Sequence, residues 1–184
     1  MMTATRTLLR DERASWAGIA ERRALPIRPA TTDDFPAMLR IFRRVAESGD
    51  TCVHSTVMRV ANAHAYWFRE PVATYVAEMD GEIVGMYRIV ENQPSRGSHV
   101  ASASIIVDPA FRRQRLGRAL GQHCLAIAKK DRFLAMQFNM VAGTNTAAIA
   151  LLKKLGFAIV GRLPNPFRHA RLGLVDAYVM HRSL

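Results

Sequence analysis

The chain has 184 residues, 49% of them hydrophobic, which suits one domain with a substantial core, or one domain and an extension. A formal charge of +11 concentrates anions, so nucleic acid, membrane headgroups and phosphorylated cofactors are the partners to weigh. Two cysteines, Cys52 and Cys124, are too few for a disulfide framework or a zinc cluster and make a reducing cytoplasm the expected compartment, and no apolar run is long enough to span a membrane.

Residues 1–24 carry Leu8, Leu9, Trp16 and Ile19 among charges and read as a short amphipathic helix. Asp11, Glu12 and Glu21 argue for an extension or dimer contact over a transit peptide, leaving residues 25–184 as the domain. LPIRPA, residues 25–30, predicts a first strand closed by Pro29. In TTDDFPAMLRIFRRVAES, apolar residues at 35, 38, 39, 42 and 45 have helical spacing, with Thr32 as the expected N-cap and Asp33 and Asp34 in the first turn. The loop GDTCVHST leads to a second helical pattern over residues 57–69, and ATYVAEMDGEIVGMYRIVE reads as two strands around the hairpin signal Asp80-Gly81. A strand over residues 99–107 ends before Pro109, and a helix then runs to about Lys130. Residues 133–142 form a strand, TNTAAIALLKKLG a short helix with Thr144 as N-cap and Gly156 as its stop, and FAIVGRL and LVDAYVMHRSL the last two strands. This order predicts an α/β fold: a mixed, mostly antiparallel central sheet flanked by helices.

The helix after residue 107 opens with FRRQRLGRAL, residues 111–120, which holds four arginines. A helix that starts directly after a strand presents unpaired N–H groups and the positive end of its dipole to an anion. Glycine lets the main chain approach a phosphate, and arginines add charge-assisted contacts. The plainer alternative is that Arg112, Arg113, Arg115 and Arg118 merely line a solvated helix face. A nucleic-acid partner is not expected, because the arginines are spread along the chain without a recognisable nucleic-acid-binding signature.

The stretch IIVDPAFRRQRLGRAL resembles the coenzyme-binding segment of the GNAT superfamily of N-acetyltransferases, and NTAAIALLKKLGFAIVGRL resembles the second characteristic segment of that family. Two motifs in this order are more specific than either alone. The resemblance covers residues 25–184 and implies acetyl-CoA as co-substrate, with no metal. It implies that backbone groups of Ile105, Ile106 and Val107 hold the pantetheine arm like an added strand. Arg112, Arg113, Gln114, Arg115, Leu116, Gly117 and Arg118 would wrap the pyrophosphate, and Asn145 would bond the pantetheine or frame the acceptor site. Asn145 as a helix-start residue capping its own turn is the alternative, and Lys153 and Lys154 either reach phosphates or close a solvated helix end.

Two features depart from the family pattern. Arg115 stands where the loop has its first glycine, and a helical conformation that tolerates arginine and adds a donor is expected there. Leu152 stands in place of the tyrosine that protonates the departing thiolate, and Met140 in place of the carboxylate base. A thiol pKa near 8.5 makes the thiolate a fair leaving group unaided, so direct transfer rests on positioning. Asn139 could orient the amine through its carbonyl oxygen or be a satisfied buried polar group. Together with Asn145, the LGF turn and VDA at residues 175–177, it resembles fungal acetyltransferases of proline analogues, which implies a small amino-acid-like acceptor. Glu91, His99, His54 and His169 are base candidates, Cys52 lacks an adjacent base, and Tyr66, Trp67 and Phe68 read as core or pocket wall. A protein amine as acceptor, a catalytically weak acyl-CoA binder and a homodimer remain open.

Overall fold

The protein is described from a computed structural model covering residues 25–51 and 58–184. The proposed N-terminal helix, Cys52 and His54 lie outside the described residues. Seven strands form one sheet in the order β1-β2-β3-β4-β5-β7-β6. They are β1 (Ile27–Pro29), β2 (Ala73–Met79), β3 (Glu82–Glu91), β4 (Val100–Val107), β5 (Ala135–Ala142), β6 (Ala158–His169) and β7 (Gly173–Ser183). Every neighbouring pair is antiparallel except β4 and β5. The helices are α1 (Phe35–Ser48), α2 (Val60–Phe68), α3 (Leu116–Lys130) and α4 (Thr146–Lys154). The fold is therefore the mixed, mostly antiparallel α/β sheet expected from the element order.

Period-3.6 patterning decides which side of each helix is covered. On α1, Met38, Ile41, Phe42 and Val45 are buried, and with Trp67 of α2 they pack on Val76 and Met86 of the sheet. On α3, Leu116, Leu120 and Cys124 repeat every four residues and pack, with Leu152, Leu155 and Phe157, over the opposite face beside Ala77 and Tyr87. Gly117 and Gly121 form the adjoining stripe of α3. A Cβ on Gly121 would stand 2.5 Å from Leu155 Cδ1, and one on Gly117 3.2 Å from Leu151 Cδ2. These glycines thus let α3 lie close against the side chains of the segment that carries α4.

Three local expectations change. The start of α1 is preceded by a short 3-10 turn capped at Thr31, not Thr32, where the Thr31 N–H donates to Asp34 Oδ2 at 2.8 Å. The cap of α4 is Asn145, not Thr144: Asn145 Oδ1 accepts the Ala148 N–H at 3.1 Å. Finally, β6 runs on through Pro164 and Pro166 to His169, far past Leu163. Proline is tolerated there because β6 is an edge strand and its register shifts between Leu163 and Phe167.

Candidate active site

The parallel ladder between β4 and β5 is short. It pairs Val100 with Ala135, Ala101 with Met136 and Ser102 with Gln137, and then ends. On its other side β4 stays paired with β3 all the way to Val107 opposite Gly85. Residues 103–107, with Ile105, Ile106 and Val107 among them, therefore keep one backbone edge outside any ladder, and all five are half-buried. An edge of unpaired N–H and C=O groups is a template for an extended ligand carrying amides. On β5 the matching stretch has a register irregularity against β7 between Phe138 and Val141, at Asn139 and Met140.

The loop after β4 is anchored below and open above. Asp108 is buried and accepts the Ala110 N–H at 3.0 Å. Arg44 of α1 donates to both its carboxylate oxygens at 3.1 Å. Above this anchor, Arg112, Arg113, Gln114, Arg115 and Arg118 are exposed, Gly117 is half-buried and Leu116 is in the core. Arg115 is the N-cap of α3, and its φ of 62° and ψ of 11° place it in the left-handed region. The helical conformation expected of Arg115 is thus wrong: the position needs positive φ, as the family glycine implies, and arginine carries a cost of about 1 kcal/mol there. Arg113 shares this conformation at φ 66°. Alternating left-handed residues turn successive N–H groups into one concavity, a nest for an anion. The first intrahelical donors are Arg118 and Ala119, both to the Arg115 carbonyl. This leaves the Leu116 and Gly117 N–H groups without a backbone acceptor among the described residues.

Asn145 heads α4 beside the same end of the sheet, because α3 and α4 both follow strands that run parallel. Its carbonyl oxygen is committed to the cap, so the side-chain NH2 is what it can offer a ligand. Lys153 and Lys154 lie exposed in the last turn of α4, at the opposite end from Asn145, which fits a solvated helix end.

On the face under α1 and α2, polar groups gather around the point where β4 and β5 part. Asn139 is exposed, not buried, which removes the reading of it as a satisfied interior group. It accepts from Gln137 Nε2 at 2.7 Å and donates to Asn92 Oδ1 at 2.6 Å. The Tyr66 hydroxyl meets Ser104 Oγ at 2.6 Å and Tyr66 is half-buried against the core, whereas Trp67 is fully buried core. Arg88 donates to the Tyr66 carbonyl at 2.7 Å and sits 4.0 Å above the Tyr66 ring. Sequence reading missed Arg88, Ser104, Asn92 and Gln137, which come from separate strands with no local motif to mark them.

Of the base candidates, Glu91 and His99 are exposed. His169 is buried at the β6–β7 turn, where its Nδ1 accepts the Arg171 and Leu172 N–H groups, a turn-holding role. Cys124 is buried in the core, which pushes its thiol up to about 12 and makes it inert. Leu152 is 5% exposed and packs in the core, so nothing at that position donates a proton. Among the described residues no cluster of His, Cys, Asp and Glu could hold a metal, and no helix is long and apolar enough to cross a membrane.

Comparison with known proteins places this geometry. The model of the Acetyltransferase (GNAT) family matches residues 36–157. The N-acetyltransferase aca1 of Schizosaccharomyces pombe is 31% identical over 109 residues, 59% of this chain and 52% of its own, so the chain spans about half the length of that relative. The L-amino acid N-acetyltransferase AaaT of Escherichia coli is 28% identical over 166 residues, covering 85% of this chain and 96% of its own. The solved structure of a GCN5-related N-acetyltransferase from Kribbella flavida superposes with a TM-score of 0.83 at 38% identity, covering 88% of this chain and 98% of that one.

Proposed function

The chain belongs to the GNAT family of acetyltransferases, and from that premise we propose that it moves the acetyl group of acetyl-CoA to the amine of a small molecule such as an amino acid. The observation that carries this is the early end of the β4–β5 ladder at Ser102 and Gln137, one strand length from the nest at the start of α3. An open strand edge suits the amides of a pantetheine arm, and the nest with its arginines suits a pyrophosphate, so one coenzyme answers both features. Ile105, Ile106 and Val107 would hold the arm, residues 112–118 the pyrophosphate, and the Asn145 amide the inner end of the arm.

Acetyl-CoA supplies an activated thioester. A neutral amine attacks its carbonyl carbon, the C–N bond forms as the C–S bond breaks, and the amine proton leaves to solvent while the thiolate departs. Backbone N–H groups on the open edge of β4 can receive the developing oxyanion. Asn139, at the bulge of β5, orients the amine.

The test is thermal shift with acetyl-CoA and free CoA, followed by thiol release across amines, amino acids and peptides. Both coenzymes should raise the melting temperature, since a ligand of the native state alone must do so, and thiol should appear with a small amine. No shift with either coenzyme would remove the reading, and release only with peptides would move it to a protein acceptor. Asn139→Ala should lower kcat about tenfold or more, with the acetyl-CoA dissociation constant unchanged; unaltered kinetics would remove Asn139 from the site.

A further inference from the structure

A cation beside the site is left unused by the coenzyme grip. Arg88 lies on β3 directly opposite Ser104 of β4, two residues past the last β4–β5 pair. Neighbouring strands are about 4.8 Å apart, so Arg88 stands one strand away from the opening. It is held from two sides, by the Tyr66 carbonyl at 2.7 Å and the Tyr66 ring at 4.0 Å. Tyr66 is in turn tied to β4 through Ser104.

Among the described residues no carboxylate answers this charge. The ion pairs among the described residues engage Arg28, Arg44 and Arg162, and none of them includes Arg88. Burial pulls its pKa down, with Tyr66 opposing. Taking a cation from water without a counter-ion is costly. A role as cap for the last turn of α2 explains one N–H of the fork, because a carbonyl at a helix C-terminus welcomes a cation. The planar fork exceeds that need, since its second edge has the geometry of a carboxylate receptor. The neighbours on the same face, Ser104 and the Asn92–Asn139–Gln137 amides, are neutral hydrogen-bonding groups.

We propose that Arg88 receives the carboxylate of the acceptor, which makes the substrate a carboxylated amine of amino-acid size. The amine would then lie at the opening between β4 and β5, near Asn139, and the carboxylate over β3. This inference rests on the acetyl-transfer reading above and narrows its acceptor.

The experiment compares thiol release from acetyl-CoA with each of the twenty L-amino acids and its α-carboxamide. The carboxamide amine is the less basic and more of it is neutral at pH 7.5, so a preference for the acid cannot come from amine ionisation. The wild-type protein should favour at least one acid over its amide by roughly ten- to hundredfold in kcat/KM, the range of hydrogen bonds to charged groups. In Arg88→Gln that ratio should fall at least tenfold, chiefly through KM, and Arg88→Lys should restore part of it as a point charge without a fork. Equal or better use of amides by the wild type would overturn the inference while leaving acetyl transfer intact, and does so even if the variants fail to fold. An acid preference that survives in Arg88→Gln would also overturn it. Absence of any small-amine acetylation, with coenzyme stabilisation present, would sink the acceptor reading and this inference with it.

Discussion

Arg115 and Arg113 occupy a conformation that glycine adopts freely, and both are exposed at the start of α3. Arg115→Gly should relieve about 1 kcal/mol of strain but add a similar entropy to the unfolded chain. Its denaturation midpoint should therefore shift little, while acetyl-CoA binds about three- to tenfold more weakly for want of a charge-assisted contact; titration and urea denaturation read the two effects separately. Asp34 offers a second residue-scale test. The Arg28 guanidinium beside it, at 2.7 and 2.9 Å, pulls its carboxyl down to about 2 from the ordinary 3.8. A lowered native pKa means stabilisation that is complete above about pH 4 and lost as pH falls towards 2. Asp34→Asn should cost about 1–2 kcal/mol at neutral pH, and the gap between the two melting curves should close at pH 2. Neither feature could be read from the chain. The arginines were visible, but their φ angles depend on how the turn after Pro109 meets α3.

At the scale of elements, periodicity found the helices and strands, because a buried stripe must repeat every three to four residues and a strand face every two. Caps were misplaced by one residue. Thr31 and Thr32, like Thr144 and Asn145, are adjacent residues that can all cap, and only backbone geometry chooses between them. The loop proposed to hold the pyrophosphate was legible as a contiguous segment of one motif. The side proposed for the acceptor was not, since Tyr66, Arg88, Ser104 and Asn139 come from α2, β3, β4 and β5 and meet only through register. The packing of α3 gives an element-scale prediction. Gly121→Ala places a methyl 2.5 Å from Leu155 Cδ1, an overpacking that should cost about 1–3 kcal/mol. The melting temperature should fall, and acetyl-CoA should restore part of it.

For the whole molecule, the described strands form one sheet that opens between β4 and β5. Its interior interruption, beside residues 103–107, is a strand edge facing a gap between two strands of the same sheet. Proteins protect such edges because they pair with any extended chain that reaches them. In the proposed complex the pantetheine arm takes the place of the absent strand segment, so the substrate also acts as a guard against misassembly. The coenzyme-free protein should gain light scattering on prolonged incubation at 37 °C, and saturating free CoA, which cannot turn over, should suppress it. Equal scattering with and without CoA would show that the gap is too narrow to recruit another chain. A cell that depletes its CoA pool would then change not only the rate of the proposed reaction but how long each copy survives.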